Sequence, residues 1–474
     1  MSESNIKKNI LFNSIYQLTN ILVPLVTLPY LSRVLHAEGL GEYTFAYSVA
    51  YYFYIFIRLG LHSYGNRTIA YVKDDSRKLS KVFFEIYRMQ FLLGLVMSVL
   101  YLGYCFFIAR DRALAFIFLL LVISGGIDLT WMLYGLEEFK AASIRDVTTK
   151  LITALCIFLF VKKADDVWKY ALIYSLGFFI TQLVVIPLIR KRVFYIRPEW
   201  ANVVSHIKPN LFLFLPTVAV SIYRTMDKIM LGTLSSDVEL GYYHSAENVI
   251  RVPLALVTAL GTVMLPRMSN MLSNNESEGR IKDVFTKSIM FAVFVTSSTC
   301  LGIMTVAKEF VPIFYGEGFD KCVDLFYVVL PSCIFVAFAN VIRTQYLLPR
   351  KRDALYVLSL FIGAIVNVVL NLLMIPYYAS IGAAIGTLAA EVVVCVVQSV
   401  CVFKEANIGR NIINSLPFVI AGIIMFVACR NFVPPIGNAI VALLIKIIIS
   451  GMLYLAVLGV FILIKRAVVS HRLS

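Results

Sequence analysis

Lys208-Pro-Asn-Leu-Phe-Leu-Phe-Leu-Pro216-Thr-Val-Ala-Val-Ser221-Ile-Tyr-Arg224-Thr-Met-Asp227-Lys228-Ile-Met-Leu-Gly232 is long and apolar enough to cross a hydrocarbon core of ~30 Å, yet it carries charge near its far end. Arg224, Asp227 and Lys228 stand at i, i+3 and i+4, so an α-helix puts them on one face. The next apolar run repeats the pattern with Glu247 and Arg251 one turn apart. Charges inside membrane-length helices are costly and face a bundle interior or a wet cavity, which makes them functional candidates.

Outward from this stretch the same reading holds. Of 474 residues, 60% are apolar and only 15% charged, with a mean hydropathy of +0.83. A soluble chain of this size needs far more polar surface. The apolar residues come in blocks of about 20, and the class is an all-α polytopic membrane protein. Spans are expected near 10–33, 43–64, 82–108, 113–136, 147–161, 168–189, 208–232, 242–265, 285–307, 325–348, 355–376, 382–403, 412–429 and 439–464, about fourteen in all.

The net charge of +15 follows topology rather than nucleic acid. Lys and Arg crowd alternate loops: Arg67 to Lys81, Arg190 to Arg197, Arg267 to Lys287 and Arg350 to Arg352. The other set is nearly bare: His36 to Glu42, Thr233 to Gly241 and Pro376 to Ile381 have none. The positive-inside rule places the rich set and both termini in the cytoplasm. Lys7 and Lys8 precede a first run that is too long for a signal peptide and holds Pro24 and Pro29, so it reads as an uncleaved span. The cysteines lack paired metal-ligand spacing. Only Cys322 falls in an expected outer loop, and packing thiols are the default over a Cys322–Cys429 bridge.

Gly39-Leu-Gly-Glu-Tyr43-Thr-Phe-Ala46 is echoed by Glu239-Leu-Gly-Tyr-Tyr243-His-Ser-Ala246, at an offset of about 200 residues. Spans one and two thus copy seven and eight. The expected organisation is a six-helix lobe over 1–200, a second over 201–405 related by pseudo-twofold symmetry, and two further helices over 406–474.

Pro24-Leu-Val-Thr-Leu-Pro29-Tyr-Leu-Ser-Arg33-Val-Leu with Gly39-Leu-Gly-Glu-Tyr43, Trp131-Met-Leu-Tyr-Gly135-Leu-Glu137-Glu-Phe-Lys140, and Asp227-Lys-Ile-Met-Leu-Gly232 with Glu239-Leu-Gly-Tyr-Tyr243 carry a resemblance. From Asn9 to about Ile464 the chain resembles the bacterial oligosaccharide flippases of the polysaccharide transporter family. It is similar within that family to the O-antigen repeat-unit flippases called Wzx. The resemblance implies a bacterial inner-membrane transporter, related in fold to multidrug exporters and lipid II flippases. It would move an undecaprenyl-diphosphate-linked glycan from the cytoplasmic to the periplasmic leaflet, alongside membrane lipids and a polymerase and chain-length regulator of the same pathway.

Such a cargo needs cations for its diphosphate, a role for which the arginine fork is suited. Arg224 and Arg251 are expected at similar depth, ~12–14 Å from the outer surface, with Lys228 and Glu247 at a shallower level. Arg58, Arg88 and Arg343 lie nearer the cytoplasmic side, so the six cations form a substrate-binding set. The alternative is structural: Arg224 with Asp227, and Glu247 with Arg251, neutralise each other, while Arg88 and Arg343 snorkel. Lys446 stands outside the twofold core, within reach of a lipid head group. Asp128 and Glu391 read as isolated intramembrane carboxylates, suited to proton coupling or to a helix–helix hydrogen bond. The small face Gly382-Ala-Ala-Ile-Gly386 favours packing near Glu391. Tyrosines such as Tyr47, Tyr51 and Tyr54 read as interfacial anchors or as sugar-stacking groups.

Enzyme readings are weaker. Asp74-Asp75 and Asp165-Asp166 sit in short charged loops, no Walker lysine motif occurs, and no cofactor or metal site is expected. A glycan polymerase or ligase usually needs a sizeable outer loop, and the longest here runs from Lys308 to Asp324. A drug exporter, the other transport reading, would line its cavity with carboxylates rather than arginines.

Overall fold

The computed structural model describes residues 3–432 and 438–473. They fold into helices without a strand among the described residues. Eleven stretches are long and apolar enough to cross a membrane. Two of these are double. One helix runs Glu3–Arg58 but breaks at His36 (φ 56), and another runs Asp353–Cys401 but breaks at Ala379 (φ 50). A further helix, Phe139–Phe160, is of crossing length and misses the apolar set because its first half is charged. The described chain therefore makes fourteen crossings. The outer loops expected around His36 and Tyr378 are single-residue reversals, since one positive φ turns a helix without any linker.

Packing divides the chain into two compact units, Met1–Gly241 and Tyr242–Ser474. In the first, α1 (Glu3–Arg58) packs on α4 (Arg112–Gly126) and α6 (Phe139–Phe160). The short α2 (Leu61–Val72) lies on α5 (Thr130–Gly135), and α3 (Ser76–Phe107) on α4. Then come α7 (Val167–Leu183), α8 (Val185–Arg190), α9 (Trp200–Ser205), α10 (Ile207–Ser221) and α11 (Asp227–Leu234). Trp131 anchors the core beneath α2 and α3: its indole is fully buried, Nε1 donates to Gln90 Oε1 at 2.9 Å, and it leaves no room for a Cβ on Gly65. In the short charged loops noted above, Asp75 and Asp166 do local work. Asp75 Oδ1 accepts the Arg77 and Lys78 amides to cap α3, and Asp166 Oδ2 accepts those of Lys162 and Lys163.

In the second unit are the rest of α12 (Asp237–Ser273), then α13 (Glu278–Thr305), α14 (Ala307–Tyr315), α15 (Lys321–Val329), α16 (Ser332–Ile342), α17 (Asp353–Cys401), α18 (Ile408–Phe432) and α19 (Ala439–Leu473). The segment from Lys308 to Asp324, expected as a loop, is largely α14 and the start of α15, and Cys322 is buried there. All eight cysteines are free thiols. Gly382 and Gly386 form the close face between the two halves of α17, against the Met374 carbonyl and the Asn371 side chain. Lys446, expected at a lipid head group, is buried instead and reaches Glu309 Oε1 at 2.5 Å. Burial makes that pairing necessary, because an ammonium in low dielectric needs a counter-charge.

Candidate functional site

A mid-span break builds a concentrated charge cluster in the first unit. α4 stops at Gly126 and α5 starts at Thr130, leaving Asp128 between two half-helices inside one crossing. Irregular backbone at such depth is tolerated only where protein or a cavity satisfies it. Here Gln90 Nε2 donates to the carbonyls of Gly125 (2.7 Å) and Asp128 (2.8 Å). The Asp128 carboxylate is 1% exposed, accepts the Thr130 amide at 2.9 Å and accepts the Tyr54 hydroxyl at 2.9 Å. Arg58, at the end of α1, brings Nε to 3.0 Å from Asp128 Oδ2 and donates from Nη1 to the Tyr54 oxygen at 3.1 Å. The Nε contact is an ion pair by proximity, its N–H being poorly aligned with the carboxylate.

Thr130 carries this network onward. Its hydroxyl accepts from Arg145 Nη2 at 3.4 Å, and the same guanidinium pairs with Asp146 at 2.7 Å. Arg145 is 7% exposed, and its Nη1 is buried without a hydrogen-bond partner. Lys150, a turn further along α6, lies over the Tyr16 ring at 5.0 Å and within electrostatic reach of Asp146. His62 and Tyr134 complete the neighbourhood, each within electrostatic reach of Arg58. Arg58, Arg145 and Lys150 against Asp128 and Asp146 leave the cluster net positive, in a place where an unmatched charge is expensive.

Asp128, isolated as a sequence feature, thus gains Arg58 as a neighbour through the fold. Arg88 is exposed and turns to the segment before α9, donating to the Pro198 carbonyl at 3.4 Å with Trp200 beneath it at 4.7 Å. Arg224 falls in a π-helical turn, Ile222–Met226, whose preceding Ser221 carbonyl accepts the Tyr52 hydroxyl at 2.9 Å. The wider turn separates the trio by burial: Arg224 is exposed, while Asp227 and Lys228 are buried. In the second unit Arg251 is 56% exposed, with Nη2 3.9 Å from Glu247 Oε2. Arg343 opens a second π-helical turn, Arg343–Leu347, and donates to Tyr356 at 3.2 Å. Glu391 is half-buried on the second half of α17.

Sequence reasoning missed Arg145 and Asp146 because the fifth span was started at 147. The expected 147–161 is too short to cross, and extending it backward to about 20 residues captures both. It also missed Glu85 of α3, which is buried, accepts from Asn202 Nδ2 at 2.9 Å and lies 3.4 Å from His206 Nε2.

The comparisons with known proteins agree with this architecture. A protein of Escherichia coli strain K12 named as an O-antigen transporter is 22% identical over 415 residues, covering 85% of this chain and 97% of its own. Among solved structures, lipid II flippase MurJ in an inward closed conformation superposes with TM-score 0.63 at 16% identity, covering 92% of this chain and 98% of that one. An inward-facing multidrug resistance MATE family transporter of the MOP superfamily gives TM-score 0.60 at 12% identity, over 82% and 98%. These likenesses identify a membrane-transporter fold. The polysaccharide biosynthesis protein family matches residues 6–272, more than half of the sequence, and the chain belongs to that family.

Proposed function

We propose that this protein is a flippase that moves an undecaprenyl-diphosphate-linked oligosaccharide, an O-antigen repeat unit, from the cytoplasmic to the periplasmic leaflet of a bacterial inner membrane. The observation that carries this reading is the Arg58–Asp128–Thr130–Arg145–Asp146 network inside the crossings, to which Lys150 adds a net positive charge. A diphosphate is the part of such a cargo that hydrocarbon rejects most strongly; the guanidiniums, though matched by their own carboxylates, keep an unused donor at Arg145 Nη1, and Lys150 supplies the surplus charge. The naming of the E. coli relative for O-antigen transport supports the cargo class.

In this reading the two lobes, 1–200 and 201–405, rock to open a central path to either side, with 406–474 as an accessory pair and both termini cytoplasmic. Arg224, Lys228, Arg251, Arg58, Arg88 and Arg343 supply cations along the path. Asp128, Asp227, Glu247 and Glu391 hold those cations or carry protons. The lipid-linked product would pass to a polymerase and its chain-length regulator.

The test is complementation of a strain lacking its own O-antigen flippase. Surface glycan should return with the wild-type chain and fail with Arg58→Ala and Arg145→Ala at matched membrane protein levels. Full export by both variants together would remove the cluster from the mechanism.

A further inference from the structure

A row of tyrosines leads away from the charged cluster along the second half of α1. Tyr43, Tyr47, Tyr51 and Tyr54 follow at steps of four, four and three residues and share one face. Successive rings are nearly parallel, inclined at 6°, 21° and 22°, with centroids 6.0, 5.5 and 5.8 Å apart. On α7, Tyr170 and Tyr174 oppose them: Tyr170 stacks on Tyr43 at 4.0 Å and Tyr174 meets Tyr47 edge-on at 5.6 Å. The far end is closed by these contacts, while Tyr47, Tyr51 and Tyr174 remain half-buried. At the near end the Tyr54 hydroxyl is held by Asp128, one turn before Arg58.

An interfacial belt does not account for this arrangement. Belt aromatics gather at the two membrane surfaces. From Tyr43 to Tyr54 the helix climbs ~16 Å, about half the hydrocarbon thickness. Packing accounts for the two ends, Tyr43 and Tyr54, each 4% exposed and set against Phe118 and Phe178, but not for the phenols of the half-buried middle rungs Tyr47 and Tyr51. Each tyrosine presents a flat apolar face with a hydrogen-bonding edge, at low conformational cost. A pyranose ring has the matching chemistry: C–H groups on its face and hydroxyls around its rim.

We propose that this tyrosine ladder is a binding track for the sugar rings of the cargo. The inference rests on the lipid-linked glycan reading above and names the part of the protein that reads the glycan. With a diphosphate at Arg58 and Arg145, the first sugar lies against Tyr51, beyond the buried Tyr54, and further sugars extend toward Tyr47. Stacking on ring faces tolerates differences in sugar identity, because hydroxyl configuration is read at the rim rather than through the face. The track therefore sets how much glycan is gripped rather than which sugar it is.

The test uses full-length protein in lipid nanodiscs and two probes: bare undecaprenyl diphosphate, and the same lipid bearing the host strain's repeat unit. The readout is the ratio of the two affinities. Wild type favours the glycosylated lipid, and Tyr51→Leu and Tyr174→Leu each narrow that ratio about tenfold. Tyr51→Phe keeps the face, loses the hydroxyl and recovers most of the preference, which also separates stacking from misfolding. A ratio unmoved by both leucine variants, or equal weakening of both probes, overturns the ladder while leaving the carrier reading intact. Wild-type protein with affinity for neither probe overturns both.

Discussion

Gly241 faces the backbone of Ala37 so closely that a Cβ there would lie 1.8 Å from the Ala37 carbonyl oxygen. Gly41, at the matching place in the first copy of the repeat, meets the Asp237 carbonyl in the same way at 1.7 Å. Each glycine thus sits against the residue that corresponds to its own partner's neighbour, so the duplication read from the sequence is also a reciprocal backbone contact. Gly41→Ala and Gly241→Ala should each cost about 1–3 kcal/mol through forced backbone shifts. Gly103→Ala, with open space around it on α3, should be neutral or stabilising. Thermal midpoints in nanodiscs check both; an unchanged midpoint for Gly41→Ala refutes the close approach.

Arg58 and Asp128 allow structural and ligand roles to be separated. Arg58→Ala leaves a carboxylate that is 1% exposed without its charged neighbour, a defect of about 3–5 kcal/mol. Adding Asp128→Asn should restore folding, as judged by membrane protein level and midpoint. If the pair only holds α1 to the α4–α5 break, export returns with folding. With Arg58 as a phosphate ligand, the double variant folds and still exports no glycan. Asp128→Asn alone should also reduce proton-driven transport; an unchanged pH dependence would shift any coupling role to Asp227 or Glu391.

The fold was legible where hydropathy decides structure, and opaque where a single residue does. Apolar blocks of span length announce thirteen of the fourteen crossings, because a bilayer enforces length and internal hydrogen bonding; the fifth, with its charged first half, shows only as a short block. Hydropathy has no term for the positive φ of His36 and Ala379, so both reversals were expected as loops. It is equally blind to the π-helical turns at Arg224 and Arg343, which come from local ladder slippage. Asp128 was legible as a buried charge but not as Arg58's neighbour, since seventy residues of chain separate them. Tyr43 to Tyr54 were visible as aromatics; only the fold shows them as parallel rings facing α7.

Outside the membrane, Glu405 offers a pH-dependent tie. Arg352 Nη2 at 2.9 Å and the Tyr346 hydroxyl at 2.7 Å hold its carboxyl below the usual range. The stabilisation is present above the ordinary carboxylate value of ~4.3 and fades as pH falls through the lowered one. Glu405→Gln should therefore lower the thermal midpoint at pH 7 slightly, and the deficit should shrink as pH falls through the lowered value. A deficit that persists at acid pH would show a packing defect instead.

Orientation is open to direct measurement. Reporter fusions after Lys81, Arg192 and Arg352 should score cytoplasmic, and fusions near Glu239 and Tyr378 periplasmic, as the distribution of Lys and Arg requires. A periplasmic signal from the loop between Arg190 and Lys208 would overturn the proposed orientation, because that loop joins the two proposed lobes.

Arg251 gives the sharpest separation of binding from scaffolding, because its exposure limits what pairing can be worth. Its side chain is 56% exposed and 3.9 Å from Glu247, and exposed pairs contribute only about 0–1 kcal/mol. Arg251→Ala should leave the midpoint nearly unchanged. A loss of export in that variant then cannot be charged to instability, and adding Glu247→Ala should not restore it. Arg251→Lys keeps the charge and loses the bidentate fork, so it should export at an intermediate level. Surface glycan in a flippase-deficient strain is the measurement, with membrane protein level as control. Full rescue by the Arg251→Ala/Glu247→Ala double variant would make the pair a helix-register device and remove Arg251 from the path of the cargo.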